Sequence, residues 1–210
     1  MKAIAIIGDI VESKRLGRKR DAFQKTLARA LAKATAAAEG VASPYTITLG
    51  DEFQAVYRTA DSIWADVWQI LTAIHPVEAR FAIGVGELAT RLNPKQALGM
   101  DGPAFHRARA AMTTLKESGG RLRIGGEPAE DWALANRALA LVSHHLGRWS
   151  GNRLRVLTGL LRGEAARDVE RALGISRVAV YKNINAAALD EIAGICEEIA
   201  RALNGALREK

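Results

Sequence analysis

Apolar and polar positions follow two different rhythms along this chain, and the switches between them mark out its elements. Lys2–Ile10 is an apolar run closed by Gly8-Asp9, the pattern of a buried strand whose last residues reach a sheet edge. Phe23, Leu27, Ala30, Leu31 and Ala34 then recur at helical spacing, which predicts an amphipathic helix to about Ala38. Gly40 and Ser43-Pro44 end it. From Tyr45 to Tyr57, two β-prone segments flank Gly50-Asp51-Glu52 and read as a hairpin with carboxylates at its tip. Ile63, Val67, Ile70 and Leu71 share one face of a second helix, closed by His75-Pro76. Trp64 and Trp68, a turn apart on it, are expected as core or interface anchors. Glu78–Gly86 reads as a further strand, Asp101-Gly102-Pro103 opens a third helix with Asp101 at the expected N-cap, and Arg121–Ile124 is a last short strand.

The order β, α, ββ, α, β, α, β predicts an α+β fold, a sandwich of the ferredoxin-like or palm type with its helices on one sheet face. After Gly125-Gly126 the pattern turns all-helical, beginning with a helix over Glu130–Leu146. The expected domains are therefore an α+β unit over 1–126 and an all-α unit over 127–210.

In the second unit a helix ends at Leu173, Gly174 makes a tight turn and Ser176 caps the next helix. Ala166, Val169, Leu173, Ile175, Val180 and Ile184 would pack the pair together, giving a helix-turn-helix at about 164–186. Its outward residues Ser176, Arg177, Tyr181, Lys182 and Asn183 are of the types that contact DNA. Eight Lys/Arg stand against four acids between Gly147 and Asp190, an excess suited to phosphates. A helical pair used only for packing would carry the same turn signals. Ala186–Leu207, with Leu189, Ile192, Ile195, Ile199 and Leu203 at helical spacing, reads as a long terminal helix. It would pack back on the first unit or pair with a second copy, and a homodimer would match an inverted-repeat operator.

The candidate chemistry lies in the first unit. Adjacent carboxylates repel and strands disfavour them, so Asp51-Glu52 at a hairpin tip calls for a partner. With Asp9 at a neighbouring strand end, Asp51, Glu52 and the Ile10 carbonyl would form a hard oxygen site for Mg²⁺ or Mn²⁺ and a nucleoside triphosphate. Lys14, Arg15, Arg18 and Arg20 would contact its phosphates. The plainer alternatives are a capping role for Asp9, a polar turn at Asp51-Glu52 and a solvated basic face. A formal charge of +7 favours an anionic partner, nucleic acid or nucleotide. Cys196 is the sole cysteine, so no intrachain disulfide forms and a cytoplasmic setting is expected. No run approaches a membrane span.

Leu49-Gly-Asp-Glu-Phe53 resembles the GGDEF signature of diguanylate cyclases, with Leu49 in place of the first glycine. The strand-end aspartates and Arg80-Phe-Ala-Ile-Gly-Val-Gly86 also resemble the class III nucleotidyl cyclase domain, which implies metal roles for Asp9 and Asp51. The widest resemblance is to the SatD family, bacterial proteins of poorly defined function. It rests on Ile7-Gly-Asp-Ile-Val-Glu-Ser13, Leu49-Gly-Asp-Glu-Phe-Gln54, Ile83-Gly-Val-Gly86 and Asp101-Gly-Pro-Ala-Phe105 with Ala108-Arg109. Where class III cyclases carry a catalytic Asn and Arg four residues apart, this sequence has His106 and Ala110, and Arg109 stands one position early. One helical position turns a side chain by about 100°. The expected function is thus a DNA-binding regulator with a Mg-nucleotide-binding, cyclase-like domain. The alternative is an active nucleotidyl cyclase or nucleotidyltransferase, using Asp9, Asp51 and Arg109, tethered to a helix-turn-helix.

Overall fold

The structure, a computed structural model, describes residues 1–126 and 132–208. The stretch just past the expected boundary at 126, and the first residues of the helix expected from Glu130, lie outside the described residues. The chain runs β1 (Lys2–Ile10), a 3-10 segment (Ser13–Lys19), α1 (Arg20–Ala37), β2 (Val41–Leu49), β3 (Glu52–Tyr57), α2 (Ile63–Ile74), β4 (Ala79–Glu87), α3 (Pro103–Ser118) and β5 (Leu122–Gly125). It continues with α4 (Ala133–Leu146), α5 (Gly151–Leu161), α6 (Ala166–Leu173), α7 (Arg177–Ala187) and α8 (Leu189–Arg208). One five-stranded sheet, in the order β2-β3-β1-β4-β5, is antiparallel except for the parallel β4–β5 pair. The result is a mixed α+β fold.

Alternation along β1 explains how the sheet is covered. Ile4, Ile6 and Ile10 face one side and join Phe53, Tyr57, Phe81 and Ile83 under α1 and α2. Ala3, Ala5 and Ile7 face the other, with Val56 and Ala82, and meet Ala104, Phe105, Ala108, Met112 and Leu115 of α3. The expectation of helices on a single sheet face is therefore corrected: α3 covers the second face. It can do so because that face is built of small residues. A Cβ on Gly84 would lie 2.2 Å from the Ala104 carbonyl oxygen, and one on Gly125 would lie 2.2 Å from that of Arg107. The helix backbone rests directly on the strands.

Pro44, read as a breaker, lies inside β2. It is tolerated because β2 is an edge strand and its pairing with β3 skips from Ser43 to Thr46. The opposite edge, β5, is met by a side chain. Asn136 of α4 accepts a hydrogen bond from the Ile124 N–H (2.8 Å) and donates one to the Ile124 carbonyl (2.9 Å).

The large-residue core continues from α1 and α2 into α5, α7 and α8. Trp68 is fully buried and stacks on Trp149, centroids 5.8 Å apart. The terminal helix packs back on the sheet unit: Asn204 accepts from the Ala60 N–H at 2.7 Å, and Lys2 Nζ donates to the Ala206 carbonyl. The single helix expected from Ala186 is broken at Ala188, which takes a left-handed conformation (φ 49°) and ends α7.

One carboxylate inside this core was not singled out from sequence. Asp66, on α2, is 1 % exposed and accepts hydrogen bonds from Tyr57 Oη (2.9 Å) and Ser62 Oγ (2.8 Å). Burial pushes its carboxyl up to about 6, against the pull of those two donors. The folded state therefore holds this proton more tightly than the unfolded chain does, where an aspartyl carboxyl titrates near 4. The stabilisation is complete below about pH 4 and is lost as pH rises through about 6. Asp66→Asn should remove that slope and raise stability at pH 7.5 by about 2–3 kcal/mol relative to the parent, with little gain at pH 4. Urea unfolding of both proteins at the two pH values measures it; an equal difference at both would refute the assignment.

Candidate functional site

Register brings the predicted acids together. Asp9 lies opposite Glu52 in the β1–β3 pair and opposite Arg80 in the β1–β4 pair, all on the α3 side of the sheet. Asp51 sits in the adjoining turn, where its carbonyl accepts from the Ile10 N–H at 3.1 Å. Asp9 and Glu52 are thus paired across two inner strands, with the Ile10–Asp51 backbone hydrogen bond at the same end of the sheet.

Every one of these carboxylates is engaged. Asp9 is buried, with Oδ2 3.0 Å from Arg80 Nη1 and Oδ1 2.8 Å from Lys116 Nζ. Asp51 Oδ2 accepts a hydrogen bond from Ser13 Oγ. Glu52 Oε1 lies 3.4 Å from Thr48 Oγ1 and 3.5 Å from Arg109 Nη1. Among the described residues no group of three or more His, Cys, Asp or Glu is arranged to hold a metal ion. With both Asp9 oxygens on cations, the donor set as it stands does not fit the expected Mg²⁺ or Mn²⁺. The site is a cluster of interleaved acids and bases. An ion at Asp9 would first have to displace Lys116, whose half-exposed side chain is the looser of its two partners.

The two bases that occupy Asp9 were missed in the sequence, yet each left a signal. Arg80 alternates with buried Ala79 and Phe81, so it shares the face of Ala82 and Gly84. Lys116 follows Arg109 by two helical turns and projects from the same side of α3. The basic cluster is spread more widely. Lys14, Arg15, Arg18 and Arg20 are all exposed; Arg15 pairs with Glu12 at 2.6 Å, and Arg20 reaches the hairpin tip beside Gly50. Arg109 is more than half exposed, with Nη1 3.5 Å from Glu52 Oε1. Asp101 is not the N-cap of α3. Gly102 holds that position, and Asp101 pairs instead with His106 Nε2 at 2.8 Å. The Gly102 backbone N–H, and then His106, hold its carboxyl below the usual range.

The second candidate surface lies on α7. Gly174 takes the left-handed conformation (φ 62°) that joins α6 to α7, and Ser176 Oγ accepts from the Ala179 N–H as the N-cap. Val169, Val180 and Ile184 are buried between the helices. Ser176, Arg177, Tyr181 and Lys182 are exposed, whereas Asn183 turns back to donate to the Ala179 carbonyl. Arg177 is held by Glu170 at 3.2 Å. The outward stripe of α7 is Val178, Tyr181, Lys182 and Asn185, so Val178 and Asn185 replace Asn183 on that face.

Fold and site together define a mixed α+β protein with an acid–base cluster at one sheet edge and a capped helical pair in its C-terminal part. The SatD family model matches residues 3–190, and the chain belongs to the SatD family. A bacterial light-regulated adenylyl cyclase is similar in structure at 14% identity and a TM-score of 0.39, over 58% of this chain and 42% of that one. This chain thus spans less than half the length of that cyclase. A regulator of polyketide synthase expression from Bifidobacterium adolescentis is similar at 16% identity and a TM-score of 0.26, over 99% of this chain and 86% of that one. No curated protein matches the sequence. Among the described residues, no helix is long and apolar enough to cross a membrane.

Proposed function

We propose that this chain is a DNA-binding regulator whose α6–turn–α7 segment is a helix-turn-helix and whose sheet-edge cluster takes a nucleotide. One observation carries the reading: a glycine turn and a serine cap present α7 with a solvent-facing stripe of Val178, Tyr181, Lys182 and Asn185. Tyrosine and valine offer apolar contacts to base edges, asparagine pairs with adenine and lysine neutralises phosphate. Binding to a mixed-sequence duplex should weaken steeply with salt. Tyr181→Ala/Lys182→Ala should reduce affinity by about tenfold or more and lower the salt slope by about one. Fluorescence anisotropy over a salt series is the measurement. Equal affinities for parent and variant would remove the proposal.

The β-α-β-β-α-β order with strands arranged 2-3-1-4 supports a ferredoxin-like, cyclase-type reading of the sheet unit. Its geometry favours binding over catalysis. Arg109 is turned to Glu52, His106 to Asp101, and Asp9 is neutralised by Arg80 and Lys116. A triphosphate would be drawn to Lys116 and Arg109, the two more exposed bases, as they separate from their acids. In this reading nucleotide and DNA affinities are coupled through the core shared by the two parts.

A further inference from the structure

Between α4 and the joint of α7 with α8 lies a groove of about 580 Å³. That is within the roughly 300–1,000 Å³ typical of small-molecule sites. Its walls are apolar, with Leu141, Val142, Trp149, Ile192 and Ile195 among them. Its charged lining is unbalanced: Arg148 and Arg153, with His145, stand against the single acid Glu191. Arg153 decides what the groove is for. It lies in the first turn of α5, and its Nε is buried with no hydrogen-bond partner among the described residues. A buried guanidinium N–H without an acceptor is costly, and a small turn of the Arg153 side chain into the groove would bring it to an anionic oxygen there. Guanidinium to carboxylate or phosphate is also among the strongest hydrogen-bonded pairings available.

We propose that this groove binds a small organic anion, an acidic head on an apolar body. Arg153 takes the head, and Trp149, Ile192 and Leu141 cover the body. The acid–base cluster at the sheet edge does not contribute to it, and the outward stripe of α7 shares with it Asn185 alone. Trp149, fixed by its stacking on Trp68, gives the body a rigid wall. Residues 185–188, which form the joint of α7 and α8, belong to the wall. An occupant therefore touches the end of α7 remote from its Ser176 cap.

The test is titration calorimetry of the full chain with decanoate, kept below its micelle concentration, beside 1-decanol and decylamine as neutral and cationic counterparts. Decanoate should bind one to one and at least about tenfold more tightly than either counterpart, the discrimination expected of one charge-assisted pair. Arg153→Met should remove most of that preference and Arg153→Lys should keep part of it. The near-ultraviolet signal of the Trp68–Trp149 stack serves as the check that each variant is folded. Equal affinity for decanoate and 1-decanol, an unchanged preference in folded Arg153→Met, or no binding of decanoate would each overturn the proposal. No DNA is present in the experiment, so its failure leaves the helix-turn-helix reading standing, and the reverse holds too.

Discussion

Gly84→Ala should destabilise the protein by about 3 kcal/mol or more, an unusually large loss for the addition of a single methyl group. The new Cβ would meet main-chain atoms, the Ala104 carbonyl oxygen at 2.2 Å and the Ala108 nitrogen at 2.5 Å, and main chain within the first turns of a helix cannot step aside as a side chain can. To make room, α3 would have to lift from the sheet. That would also loosen the contacts of Phe105 and Met112 and the reach of Lys116 to Asp9. Gly125→Ala should behave alike, because the Arg107 carbonyl oxygen stands at the same 2.2 Å. Gly194→Ala is the control. Nothing lies within 4 Å of its Cβ, and in the middle of α8 it should stabilise by about 0.5–1 kcal/mol. Urea midpoints of the three variants test the set; a mild loss at Gly84 would show that the sheet and α3 are not held at backbone contact.

Asp9→Ala should cost about 3–5 kcal/mol, while Lys116→Ala should cost no more than about 1 kcal/mol. The contrast follows from burial. Arg80 is largely enclosed, and its Nε already lacks a partner among the described residues, so removing Asp9 strands a cation inside the protein. Lys116 is half exposed and regains water when it lets go. Lys116→Ala also uncovers one Asp9 oxygen, and Mn²⁺ binding followed by electron paramagnetic resonance should be tighter in that variant than in the parent. If the two substitutions cost the same, the order of the two partners given above is wrong.

What could be read from the sequence was what is local. The periodicities of β1, α1 and α2, the turn at Gly174 and the cap at Ser176 each depend on a few neighbouring residues, and the structure has them where the pattern put them. The meeting of Asp9 with Glu52 was also within reach, because the hairpin and the strand-end acid signal a shared sheet edge. What escaped is long-range. Nothing local tells Asp9 that Arg80, 71 residues on, will hold it across the next strand. The small residues at alternate positions of β1 and β4 do announce a closely approaching helix, but only once the sheet order is known. The break at Ala188 carries no glycine to announce it, and Asn183 turns back to its own helix although its chemistry suits an outward role.

The amide of Asn136 on Ile124 has a consequence for how copies of this protein can meet. A sheet grows by templating: a bare strand offers its peptide groups to the next chain. At β5 the side chain has already taken the Ile124 offer, and at β2 the proline and the skipped register spoil the other rim. Any self-association should therefore run through helix surfaces rather than by splicing two sheets into one.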